Sequence, residues 1–154
     1  LLVKFFINVA NTGYLRGLAS EMQENTNAIR KELNNLSDAG FLIREEKESK
    51  VMYKANDLHP FFDVLQQLVR KHLGIDRIVT QIFERLGDVH QIYLVGDCAK
   101  GLDTGVIEVV VVGKKLNEAY VNQLAPKVSN ELNKKVIIHA MSHFDGFGVL
   151  VFEK

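Results

Sequence analysis

The sequence predicts an α+β chain in two parts: three helices closed by a β-hairpin, then a small α/β unit built on a mixed sheet. Three observations carry this. Over residues 1 to 74 the apolar side chains recur at helical spacing, whereas from about residue 90 they come in short runs rich in Val and Ile, the composition of buried strands. The runs are punctuated at Asn11-Thr12-Gly13, Gln23-Glu24-Asn25, Ala39-Gly40, Gly74 and Gly96. With 154 residues, 47% of them hydrophobic, the chain is long and apolar enough for one medium domain or two small packed ones, which excludes disorder.

Taken in order, Leu1 to Ala10 reads as a helix, and a second spans about Tyr14 to Met22 with Leu15, Leu18 and Met22 on one face. A third starts at a capping Asn25 and sets Ile29, Leu33 and Leu36 on one buried stripe. Its other face carries Thr26, Asn27, Arg30, Lys31 and Asn34. After Ala39-Gly40, Phe41 to Arg44 and Val51 to Ala55 read as strands joined by the charged tip Glu45 to Lys50. Three helices and a hairpin in that order form a winged helix-turn-helix. Asn56 and Asp57 are expected to cap a connector helix with Pro60 in its first turn, running through Phe61, Leu65, Leu68 and Val69 to Gly74. The two domains are thus expected at 1–74 and 75–154. In the second, Ile75 to Leu86 reads as a helix, Gln91 to Val95 and Val106 to Val112 as strands, and Asn117 to Leu132 as a helix interrupted near Pro126. Val136 to Met141 and Val149 to Phe152 complete the sheet, and strands apolar on both faces call for helices over both.

Charge narrows the function. Lys+Arg and Asp+Glu number 19 each, and the halves balance separately, with 10 against 9 over residues 1 to 74 and 9 against 10 beyond. A general polycation that coats nucleic acid or anionic membrane is excluded, so any nucleic-acid contact is a local patch. The single cysteine makes no internal disulfide, and no apolar run approaches the roughly 18 to 20 residues that span a bilayer, so a cytoplasmic protein is expected. The opening Leu1-Leu2-Val3 lacks both a methionine and the features of a signal peptide, and the numbering is expected to begin inside a longer protein.

A helix enters the major groove when its outward face is free of bulky apolar groups and offers donors near its N-terminus. The third helix meets that requirement. Arg30 suits a guanine edge or a phosphate, Asn27 and Asn34 suit adenine, and Thr26 and Lys31 suit phosphates. Lys47 and Lys50 at the hairpin tip reach toward an adjacent backbone, with Glu45, Glu46 and Glu48 weakening the local potential. Tyr14-Leu15-Arg16-Gly17-Leu18-Ala19-Ser20-Glu21-Met22, then Ala28-Ile29-Arg30-Lys31-Glu32-Leu33 and Leu36-Ser37-Asp38-Ala39-Gly40-Phe41-Leu42, resembles the winged helix-turn-helix of ArsR-like bacterial and archaeal regulators. The resemblance covers about half the chain and implies double-stranded DNA as partner and a homodimer formed through flanking helices. The sequence departs from the pattern in the turn, where Gln23 and Glu24 replace a Gly and a small apolar residue.

The second half carries Ile92-Tyr93-Leu94-Val95-Gly96-Asp97-Cys98-Ala99-Lys100-Gly101 followed by Val106-Ile107-Glu108-Val109-Val110-Val111, which resembles the minimal nucleotidyltransferase family. That family's Asp-x-Asp places two carboxylates on one strand face, where they hold two magnesium ions. Carried over by position, Gly96 keeps the glycine, Asp97 replaces the phosphate-facing serine, and Lys100 keeps the basic position. Val106 replaces the first carboxylate, Glu108 keeps the second, and the later acidic position has only His139. The resemblance implies a degenerate, inactive domain that serves dimerisation or senses a nucleotide or other small molecule in a vestigial pocket of Gly96, Asp97, Lys100 and Glu108, with Lys100 as the expected partner of Glu108. No cofactor or metal site is expected. His139 and His143 lie roughly 13 Å apart on a strand, too far for one metal, and Cys98 lacks neighbours that lower a thiol pKa. The expected function is a sequence-specific DNA-binding transcriptional regulator. The alternatives are a nucleotidyltransferase that uses Asp97, Asp103 or Glu108 in an altered metal site, and a protein-interaction adaptor with neither activity.

Overall fold

A computed structural model describes all residues, Leu1–Lys154, as a mixed α+β chain. It divides into two compact units, Leu1–Val69 and Arg70–Lys154. The division falls inside the helix whose end, at Gly74, is the sequence-based boundary.

The first unit opens with α1 (Leu2–Phe6), β1 (Thr12–Tyr14), α2 (Leu15–Met22) and α3 (Thr26–Asp38). The expected helix to Ala10 stops early, and the loop composition at 12–14 conceals a strand. Phe5, Phe6 and Ile7 have no exposed surface, and the chain then turns back through Asn8, whose Oδ1 accepts from the Ala10 amide at 3.0 Å. Lys4 is buried within this apolar run and ion-pairs with Glu21 at 3.0 Å, as a buried ammonium requires. Between α2 and α3, Gln23 adopts a left-handed φ of 52° and returns its N–H to Ser20, so the turn closes without the expected glycine. The Asn25 side chain accepts from the Ala28 amide at 2.8 Å, the foreseen N-cap. Ile29 and Leu33 are 5% and 0% exposed, which turns the opposite face of α3 to solvent.

The hairpin β2 (Leu42–Lys47) and β3 (Lys50–Ala55) is longer than expected. Its tip is only Glu48-Ser49, both at positive φ, as a two-residue turn that matches strand twist demands. The glutamates and lysines assigned to a loop therefore extend the ladder, because strand positions open to solvent accept charge without penalty. β1 joins the free edge of β3, pairing Gly13 with Tyr53, for a sheet order β1-β3-β2. The 56–61 segment forms a turn rather than the expected helix start: Asn56 Oδ1 accepts from the Leu58 amide and His59 Nδ1 from the Phe61 amide. The helix α4 (Phe62–Leu73) follows.

In the second unit Gly74, at φ 81°, turns the chain into α5 (Ile75–Arg85). Then come β4 (Asp88–Val95), the short α6 (Gly96–Ala99), β5 (Val106–Lys114), α7 (Glu118–Leu132), β6 (Lys135–Met141) and β7 (Val149–Glu153). The sheet order is β6-β5-β4-β7, with β5 parallel to β6 and β4 antiparallel to both its neighbours, so the expected mixed sheet is present. Helix α7 runs unbroken through Pro126, contrary to the expected interruption. The proline is solvent-exposed, and its missing N–H leaves the carbonyl of the equally exposed Asn122 to water.

Register sorts the sheet into two faces. Ile92, Leu94, Ile107, Val109, Val111, Val136 and Ile138 share one face and are all buried. On the other, Val110 and Val112 are buried, but Gln91, Tyr93, Val95, Glu108, Ile137, His139 and Met141 are partly or fully exposed. This face departs from the expectation of full helical cover; part of its shelter comes from the 142–148 segment, where the Phe144 ring lies 4.9 Å from that of Tyr93. No helix is long and apolar enough to cross a membrane.

The turn at Gln23 makes a direct prediction. A non-glycine residue at positive φ carries steric strain, so Gln23→Gly is expected to stabilise the fold by about 0.5 to 1 kcal/mol, net of glycine's larger chain entropy. Denaturant melts of the two proteins measure it, and a loss of stability for the glycine variant contradicts the strain.

Candidate nucleic-acid interface and a second polar cluster

Over the first nine residues of α3 the exposed positions are polar except for the small Ala28. Thr26, Asn27, Arg30, Lys31 and Asn34 are all solvent-exposed, as the sequence expects from the opposite burial of Ile29 and Leu33. Thr26 is the first helical residue, where unpaired amides and the helix dipole favour an anion. The side chains are coupled to one another. Arg30 Nη1 donates to Asn27 Oδ1 at 3.0 Å, one turn back along the helix. Asn34 Oδ1 accepts from Arg44 Nη2, also at 3.0 Å, and the same nitrogen lies 3.6 Å from Asp38 Oδ1. Arg44 is absent from the sequence-based set; its only advance signal is being the one cation between α3 and the run of glutamates.

At the hairpin end Lys47 stands directly opposite Lys50 across the turn, concentrating two cations at one point. The Lys50 ammonium sits 5.8 Å above the centre of the Tyr14 ring, which the β1-β3 pairing brings close. Of the three glutamates expected to weaken this patch, Glu45 is paired with Lys54 at 2.6 Å, while Glu46 and Glu48 remain exposed.

In the second unit the turn after β4 brings Gly96 against Glu108. Gly96 has φ 71°, which favours glycine, and a Cβ there would stand 2.7 Å from Glu108 Oε2, so a larger residue displaces the carboxylate. Glu108 is hydrogen-bonded to His139, whose Nε2 lies 2.7 Å from Glu108 Oε1. The pairing follows from parallel register, in which Glu108 lies beside Ile137 and Val110 beside His139, all on one face. Val106, two residues before Glu108, shares that face and is apolar, so β5 contributes one carboxylate there. Asp97 is exposed in the first turn of α6, and Lys100 and Asp103 are exposed beyond it. One carboxylate and one imidazole supply two ligands, whereas a two-metal phosphoryl centre needs several carboxylates between its ions. No group of three or more His, Cys, Asp or Glu side chains gathers in metal-binding geometry. His143 is exposed past the end of β6.

Cys98 is buried, and burial pushes its thiol up to about 11, with Lys134 drawing it down and Asp103 pushing it up. The sign of the consequence is fixed: with the folded value raised above an ordinary 9.0, the unfolded chain loses its proton first. Stability contributed by the protonated thiol is full below pH 9 and falls as pH rises toward 11. Cys98→Ala is expected to flatten that alkaline decline in urea melts, and an unchanged slope contradicts the shift. In the same cluster, Gly96→Ala is expected to destabilise by about 1 to 2 kcal/mol through its positive φ alone; a neutral melt contradicts the left-handed backbone at that position. Comparison of the chain with protein-family models, curated proteins and solved structures finds no match.

Proposed function

We propose that the chain is a sequence-specific double-stranded DNA-binding transcriptional regulator, with residues 26 to 34 entering the major groove and a catalytically degenerate nucleotidyltransferase-like second unit. The observation that carries this reading is the α3 face: a helix whose buried side is anchored by Ile29 and Leu33 and whose exposed side offers Thr26, Asn27, Arg30, Lys31 and Asn34. The order of α1, β1, α2 and α3 followed by the β2-β3 hairpin fits a winged helix, and Lys47 opposite Lys50 suits a wing that meets a neighbouring phosphate backbone. Near-zero net charge fits a reader that relies on a few base contacts rather than on bulk attraction.

A homodimer is the assembly we favour. Val64 and Leu68 are 61% and 55% exposed about one turn apart on α4, and Phe61, 59% exposed, immediately precedes the helix, together an apolar patch that a second copy covers. The second unit, with α5, β4, α6, β5, α7 and β6 in alternation and a single carboxylate on β5, supports a nucleotidyltransferase-like fold without its transfer chemistry. Its role is to set dimer geometry or to hold a small-molecule or nucleotide effector near Gly96, Asp97, Lys100 and Glu108. The Glu108–His139 bond favours one rival reading, an enzyme with an altered metal site. Incubation with labelled nucleoside triphosphates and magnesium or manganese tests that rival: transfer supports the enzyme, and silence with all four nucleotides removes it.

Titration of the chain against duplex DNA flanking its own gene is expected to give a salt-sensitive, sequence-selective complex, and its absence overturns the regulator reading. Arg30→Ala is expected to weaken specific binding by about 1 to 3 kcal/mol. Lys31→Ala, Lys47→Ala and Lys50→Ala are each expected to weaken binding uniformly and to reduce the slope of log affinity against log salt by about 1. Unchanged slopes remove the lysines from the interface.

A further inference from the structure

We infer that the α3 face selects guanine edges over adenine, and that Arg44 is the positioning residue that sets this preference; the inference rests on the DNA-binding reading above. A guanidinium carries five N–H donors and no acceptor, so an asparagine that touches one must turn its amide oxygen toward it. This is the arrangement at both asparagines of the exposed stripe. Asn27 Oδ1 is taken by Arg30, and Asn34 Oδ1 is taken by Arg44, which β2 holds beside α3 with Asp38 as a second anchor. The bidentate asparagine–adenine pair needs that oxygen to accept from adenine N6 while the amide nitrogen donates to N7. Each oxygen keeps a second lone pair, but an incoming amino donor there meets the positive charge of the guanidinium.

The outward groups that remain are the Nδ2 hydrogens of Asn27 and Asn34, the unused N–H groups of Arg30, the Lys31 ammonium and the Thr26 hydroxyl. All but the hydroxyl, which donates or accepts, are donors only. Glu32, also exposed, lies about 100° around the helix from Lys31, off this stripe. Among base edges in the major groove, guanine alone offers two acceptors, N7 and O6, side by side, while adenine sets a donor next to its single acceptor. Phosphate oxygens share the acceptor chemistry, and they are distinguished from guanine by whether binding depends on sequence.

The test is selection of binding sites by the full chain from a randomised duplex pool, followed by single-atom changes in the selected duplex. Guanines are expected at the positions facing α3, and 7-deazaguanine at those positions is expected to lower affinity at least tenfold. Neutral methylphosphonate linkages in the flanks are expected to weaken binding to all sequences alike. Arg44→Ala releases the Asn34 oxygen and is expected to shift one selected position toward adenine without changing the melting temperature, whereas Arg44→Lys retains guanine. Selected adenines whose N6 amino group is required overturn the inference, as does binding indifferent to sequence. Failure to form any salt-sensitive duplex complex overturns the regulator reading itself and this inference with it.

Discussion

The burial of Ile29 and Leu33 sets the rotation of α3 about its axis, and the proposed chemistry of the first unit depends on that setting. With these two side chains almost fully removed from water, a rotation that hid Asn27, Arg30 or Lys31 would expose roughly two large apolar groups, each worth about 1.5 to 3 kcal/mol of burial. The polar stripe is therefore a consequence of the core. Asn25 fixes where the helix begins, and Arg44, reaching across from β2, holds the amide of Asn34 in one orientation. Packing thus determines which residues face solvent, and hydrogen bonds determine which of their atoms do.

The second unit shows the same division of labour with a different outcome. Its sheet is closed on one face by apolar side chains, and on the half-covered face the one carboxylate of β5 lies between Gly96 and His139. The glycine's missing Cβ leaves room for the carboxylate, and the parallel register of β5 and β6 brings the imidazole to it. An apolar Val106 in place of a second carboxylate on that face is a chemical reason for proposing recognition or assembly rather than phosphoryl transfer.

The elements with strong local signals were legible in the residues alone. The Asn25 cap, the Ile29 and Leu33 stripe, the Gly74 stop and the Val-rich strands each declare themselves within one turn or one strand. What escaped is set by partners distant in sequence. The strand at Thr12–Tyr14 is too short for a period and forms only because the edge of β3 is available some forty residues later. The hairpin is longer than its residues alone suggest, because a charged run resembles a loop until the ladder shows that those positions pair and face solvent. His139 reaches Glu108 through a register that only the folded sheet defines, so the residues alone do not announce that pair. Arg44 was passed over for the same reason, since its role depends on β2 lying beside α3.

The most direct measurement of the central claim is the change in backbone amide NMR shifts when a specific duplex is added to the full chain. The account predicts that the largest changes map to residues 26 to 34 and to the hairpin tip around Lys47 and Lys50, with the Arg44 guanidinium resonance moving alongside them. An unmoved α3, or changes confined to the sheet around Glu108 and His139, would contradict it.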